Sequence, residues 1–145
     1  TANQMILYKP FAFEITERII ELETQGQKKE LYELVNLVQP GFIREKTVAM
    51  GKHFGIYSDK QLVAVSGKRV EMNSYSEVSA VVTHPEFRKR GFAKQLLKRT
   101  TDKIFSDKKT PILHVDENNA HAIQLYEQLG FVTRRKMGFC MLEAV

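Results

Sequence analysis

Residues 76–105, SEVSAVVTHPEFRKRGFAKQLLKRTTDKIF, decide the fold. Val78, Val81 and Val82 form an apolar, β-branched run that reads as a buried strand. His84-Pro85 ends it, because proline has no N–H for a ladder and pushes the preceding residue out of the helical region. Phe92, Leu96, Leu97, Thr100 and Ile104 then recur at helical spacing. Between strand and helix lie Arg88, Lys89, Arg90, Gly91, Phe92 and Ala93: three cations and a glycine that feed a helix N-terminus. Such a place suits a phosphate. First-turn amides lack intrahelical partners, the helix dipole adds positive charge, and Gly91 lets the backbone approach an anion closely. The same cations would equally make a solvated turn, and spacing alone does not choose between the two.

Downstream, residues 108–111 read as a loop and 112–115 as the next strand. A helix starts at Asn118 or Asn119 and runs to about Gln128, where Gly130 supplies a C-cap. Residues 131–136 and 139–142 look like a closing hairpin. Upstream, 53–58 and 62–69 flank a turn at 58–61 and make a hairpin. Asn73-Ser74 is a further turn. Leu31, Leu34, Val35 and Val38 give residues 28–38 the pattern of an amphipathic helix, which Pro40-Gly41 ends. A short second helix is expected within 43–50. Residues 13–22 fit a strand or a helix equally by periodicity. Met5, Ile6, Leu7 and Tyr8 are a short apolar run closed by Pro10, read as a strand, with residues 1–12 as the end of an upstream region. Strands, helix, strand, helix and strands in that order give an α/β sheet with a right-handed crossover into 112–115.

At 145 residues the chain is read as one domain, 1–145, large enough to bury a core. Its 43% hydrophobic and 27% charged residues are ordinary for a globular chain, and no apolar run is long enough to span a membrane. It has no signal-peptide pattern, and since it lacks an initiator Met it is read as processed or part of a longer chain. One cysteine, Cys140, permits no internal disulfide and fits a reducing, cytoplasmic setting. The net charge of +5 suits a polyphosphate, an acidic surface or nucleic acid. Nucleic acid is disfavoured, because the basic stretches are not interleaved with aromatics. His53, His84, His121 and Cys140 have no metal-ligand spacing, so no metal is expected.

Two blocks carry a family resemblance. RKRGFA at 88–93 matches an Arg/Gln-x-x-Gly-x-Gly/Ala signature. LHVDENNAHAIQLYEQLGF at 113–131 supplies Asn119, Ala122, Tyr126, Gly130 and Phe131 in the expected places. The chain thereby resembles the GNAT N-acetyltransferase superfamily, and most of all a subgroup similar to the C-terminal domain of glycine N-acyltransferase. That resemblance extends more weakly through PGF at 40–42 and through 55–67, and it favours residues 13–22 as the first strand of the domain. It implies a GNAT-like acyl-CoA fold: a mixed, twisted sheet with helices on both faces and a splay between two central parallel strands. The acyl-CoA arm would lie in the splay, paired with the backbones of Val81, Val82 and Thr83, and residues 88–93 would hold the pyrophosphate. Asn119 would touch the cofactor or cap its helix. The family usually has Gly at the place of Lys89, and Lys89 is tolerated there if its φ is negative.

The implied chemistry is attack of an amine on the acetyl-CoA thioester by direct transfer. Tyr126, seven residues and about two turns after Asn119, is the candidate acid for the CoA sulfur, or else a core aromatic. The Val82 amide is the candidate oxyanion donor. Glu77, eleven residues before Arg88, is the candidate base, and partial burial is expected to raise its pKa toward neutrality. Alternatively it is an exposed glutamate paired with a cation such as Lys68. His114 is a second candidate base, or a half-buried strand histidine. The resemblance implies an acetyl-CoA-dependent N-acyltransferase whose acceptor is a small amine or amino acid. The acceptor pocket would draw on 13–50, the hairpin and 134–140. A peptide N-terminus or lysine acceptor, and a non-catalytic acyl-CoA-binding module, are the alternatives. Self-association as a homodimer is left open.

Overall fold

The structure, a computed structural model, describes residues 2–39, 51–79 and 81–137. Its strands are β1 (Ala2–Ile6), β2 (Ile19–Glu21), β3 (His53–Ser58), β4 (Gln61–Glu71), β5 (Tyr75–Val78), β6 (Val82–Thr83), β7 (Thr110–Asp116) and β8 (Val132–Met137). Its helices are α1 (Gln25–Val38), α2 (Phe92–Ser106) and α3 (Ala120–Gln128). The strands form one sheet in the order β2-β3-β4-β5-β7-β1-β8, and β6 pairs with β4. All pairs are antiparallel except β5 with β7, which run parallel from Tyr75↔Thr110 to Glu77↔Ile112. Helix α2 makes the crossover between them. This is the mixed α/β sheet expected from the sequence.

Local chemistry sets the element ends. Thr24 opens α1 with a capping box: its hydroxyl accepts from the Gln27 amide at 3.1 Å, and the Gln27 side chain accepts from the Thr24 amide at 3.0 Å. Leu31, Leu34 and Val35 of α1 then bury against Leu22, Leu62, Val65 and Val82. Helix α2 packs Phe92 and Leu96 on Phe54, Ile56, Val63 and Ala64. Its later turns place Leu97 and Ile104 against Met5, Val78, Leu113 and Val115, where the apolar side of α3 joins them. The β3–β4 hairpin turns through Asp59 and Lys60 at φ 48° and 66°, the primed geometry that matches strand twist.

Two expectations are corrected. Residues 13–22 are not one strand; only Ile19–Glu21 pairs, as the short strand β2 beside β3. The run through Val82 is not one strand either: β5 ends at Val78 and β6 begins at Val82. β4 reaches along both, with a register shift between Lys68 and Glu71, and the Ser79 amide donates to the Gly67 carbonyl at 2.7 Å. The strand expected near Met5 is β1, an interior strand hydrogen-bonded to β7 on one side and β8 on the other and buried along its whole length. The helix expected within 43–50, the Pro40-Gly41 stop, the PGF stretch, the strand 139–142 and Cys140 lie outside the described residues.

Candidate active site

The parallel pairing of β5 and β7 stops at Glu77↔Ile112, yet β7 continues to Asp116. Beyond that point the two strands part. β6 is stitched to β4 through Ala64↔Thr83 and Val65↔Val82, and its opposite edge has no strand partner among the described residues. A cleft of about 560 Å³ occupies the gap. Val81, Val82 and Thr83 form one wall, Asn119 and Tyr126 of the α3 segment form the other, and Arg88, Lys89 and Gly91 close one end.

That closed end has the chemistry of an anion cradle. Gly91 caps α2 at φ 78°, in the left-handed region, and makes no side-chain cap bond. The first-turn amides of a 15-residue helix therefore stay free beside two cations. A Cβ built on Gly91 would meet nothing within 4 Å, so the space in front of it is open. Arg88 and Lys89 are exposed and line the cleft, as do Phe92 and Ala93. Arg90 turns away and stacks over Phe87 at 4.9 Å. Lys89 has φ 65°, so the condition of a negative φ is not met: this loop takes the left-handed turn that glycine takes most easily, with a lysine in it.

Asn119 caps α3, its side-chain oxygen accepting from the Ala122 amide at 3.2 Å. Tyr126 leans on Phe131, ring centroids 5.7 Å apart, and lines the cleft. Its hydroxyl has no hydrogen-bond partner among the described residues. Burial pushes that hydroxyl's pKa up to about 12, so it stays protonated at neutral pH.

Glu77 does not line the cleft; it lies at the root of the gap, in the last parallel pair. It is buried and doubly paired. Oε1 accepts from Arg69 Nη2 at 3.0 Å and Oε2 meets His114 Nδ1 at 2.6 Å. Lys68, the cation suggested from sequence, instead pairs with Glu71 and Asp107. The expected rise in the Glu77 pKa is corrected. Burial does act to raise it, but the His114 hydrogen bond and the Arg69 charge outweigh burial, and the carboxyl titrates below its ordinary value. From His114 the bonds continue: Nε2 to Gln4 Nε2 at 3.2 Å, and Gln4 Oε1 from Arg135 Nε at 3.2 Å.

Residues 53–140 match the protein family described as FR47-like. The chain belongs to the FR47-like family of the GNAT superfamily. The FR47-like chain is 33% identical, over 92% of its length, to a protein from Novosphingobium aromaticivorans described as a GNAT-family acetyltransferase, with a TM-score of 0.83. It spans 60% of that relative's length. The ribosomal-protein-S18-alanine N-acetyltransferase from Escherichia coli shares the fold at 23% identity and a TM-score of 0.69, covering 79% of this chain and 77% of that one. So does the aminoglycoside N-acetyltransferase AAC(6')-Iy, solved with a CoA-containing bisubstrate analogue, at 15% identity and a TM-score of 0.69, covering 83% and 96%. A comparison with curated proteins finds no match.

The FR47-like fold also brings in residues that the sequence reading passed over. The last turn of α1, through Val38 and Gln39, borders the cleft, as do Lys94 and the exposed His121. Lys94 was detectable as the next cation along the α2 N-terminal turn; Gln39 carried no signal. Gln4, Arg69 and Arg135 reach Glu77 and His114 only through strand pairing. Among the described residues, no cluster of three or more His, Cys, Asp or Glu could hold a metal ion. No helix there is long and apolar enough to cross a membrane.

Proposed function

We propose that this domain transfers an acetyl group from acetyl-CoA to an amine, and that residues 1–145 work as a single acetyltransferase domain in the cytoplasm. The observation that carries the reading is the cleft itself: a strand edge without a partner, an anion cradle at one end and a free tyrosine hydroxyl opposite. The fit to a CoA ester is chemical. Its amide-bearing arm satisfies the open edge of Val81, Val82 and Thr83. Its diphosphate suits the first-turn amides of Phe92 and Ala93 with Arg88 and Lys89, while Arg90 braces the loop through Phe87. Asn119 fixes the start of the facing helix.

Acetyl-CoA supplies an activated thioester carbonyl. The Val82 amide would stabilise charge developing on that carbonyl's oxygen. Tyr126 would give its proton to the departing sulfur, and its raised pKa keeps that proton in place until it is needed. The Glu77–His114 pair at the root of the gap would take the proton of the attacking amine. The acceptor we favour is a small amine or amino acid, in line with the resemblance to glycine N-acyltransferase. A peptide N-terminus is the second choice of acceptor. The presence of Tyr126 and a Glu–His pair speaks against a module that only binds acyl-CoA.

Calorimetry with acetyl-CoA, CoA and ATP, followed by an amine screen with Tyr126→Phe, tests this. We expect saturable acetyl-CoA binding that ATP does not reproduce. Tyr126→Phe should bind as wild type and turn over more slowly by about 100-fold or more, the scale of a lost acid. Equal turnover would remove Tyr126 from the chemistry.

A further inference from the structure

One polar side chain from each of five neighbouring strands forms a continuous chain across one face of the sheet. In sheet order these are Arg69 on β4, Glu77 on β5, His114 on β7, Gln4 on β1 and Arg135 on β8. On β5, β7 and β1 the opposite face next to this chain carries Val78, Leu113, Val115 and Met5. The chain has a direction, and it can be read from its ends. Both ends are arginines, which only donate. Arg69 donates to Glu77 Oε1, which leaves Oε2 to accept from His114 Nδ1–H. At the other end Arg135 Nε donates to Gln4, so the atom it meets is the amide oxygen. The Gln4 NH2 group must then face His114 Nε2, and that nitrogen accepts.

We infer that Gln4, oriented by Arg135, is a positioning residue that holds His114 as the Nδ1-protonated imidazole. This makes His114 Nε2, and not the Glu77 carboxylate, the proton-accepting atom at the root of the cleft. The inference deepens the acetyltransferase reading and rests on it for the step itself. Both Glu77 oxygens are committed, one to Arg69 and one to His114, so Glu77 orients the ring and stabilises its charged form. An amine nitrogen offers the same lone pair an N–H donor in place of Gln4's amide. That nitrogen passes one proton to Nε2 and forms the new C–N bond. The C–S bond breaks, and the sulfur leaves with the Tyr126 proton. Among the described residues, the charged groups facing His114 are Arg69, Glu77, Arg135 and, at the next position on the same face of β7, Asp116.

Nitrogen-15 NMR of labelled imidazoles reads the tautomer directly. We expect His114 to show a protonated Nδ1 and a bare Nε2 at neutral pH in the wild type. Gln4→Glu should turn a donor into an anionic acceptor, protonate Nε2 and raise the His114 titration midpoint by about one pH unit or more. The acid limb of the kcat/KM profile should move up with it. Gln4→Leu should leave Nδ1 protonated against Glu77 and remove only the donor at Nε2, without that rise. A role for Gln4 in packing alone would change stability in both variants and leave the midpoint where it was. An Nε2-protonated ring in the wild type, or an unmoved midpoint in folded Gln4→Glu, overturns the inference. Absence of acetyl-CoA binding would strike at the proposed function alone, since the nitrogen shifts need no ligand.

Discussion

Lys89 shows how a single backbone angle separates stability from binding. At φ 65° its side chain pays the left-handed penalty of about 1–2 kcal/mol that glycine avoids. Yet its ammonium stands at the rim of the anion cradle. Lys89→Gly should stabilise the fold by about 1 kcal/mol, after the entropy of the added glycine is set against the relief of strain. In thermal melts that amounts to roughly 3 °C for a chain of this size. The same variant should bind CoA more weakly, by several-fold at low salt and less at high salt. A melting temperature that falls would mean the lysine is held there by contacts stronger than the strain. At this scale the RKRGFA loop and Tyr126 are legible as candidates because they belong to recognisable motifs, and Arg88, Lys89 and Tyr126 line the cleft. The sequence did not announce the sign of the Glu77 shift. That sign depends on Arg69 and His114, 8 and 37 residues away in the chain.

Elements were legible where their pattern is local. Helices α1 and α2 follow from apolar residues at i, i+3 and i+4, and the β3–β4 hairpin from two apolar runs around a turn at 58–61. The break between β5 and β6 was not legible, because a valine run reads as a strand whether or not its neighbour keeps step. Nor was the position of β1, whose five residues gain meaning only from β7 and β8. Met5 tests that strand. It is fully buried among Leu7, Leu113, Val115 and Phe131. Met5→Ala should cost about 2–5 kcal/mol in denaturant unfolding. Since β1 joins β8 to the sheet, the amides of residues 132–136 should also exchange faster than those of β3 and β4. Uniform acceleration across the sheet would show that β1 is not a separate joint.

For the whole molecule, burial and pairing act together on pH stability. His53 is buried; burial first, then the charge of Lys28, lowers its pKa from 6.5 to about 4. A histidine lowered on folding stabilises above its unfolded pKa and loses that contribution as pH falls from 6.5 to about 4, a change of about 3 kcal/mol. Glu77, Glu71 and Asp107 are lowered too, so their contributions are present above their ordinary values and fade as acid titrates them. Lys68 runs the other way: burial opposes its charge, but Glu71 and Asp107 prevail, and its contribution fades only as pH rises past 10.5. Chemical denaturation across pH should therefore show a plateau from about 7 to 10 and a steep acid side beginning near 6.5. His53→Gln should remove the upper part of that acid slope; an unchanged slope would place the acid sensitivity in the carboxylates. The polar chain across five strands has one more effect, on errors of assembly. If any of those strands slipped by one residue, its side chains would exchange faces. On β7 such a slip would send His114 into the oily side beneath α2 and bring Leu113 or Val115 into the row. The row thus acts as a key cut across the sheet, admitting a single alignment of strands gathered from both ends of the chain.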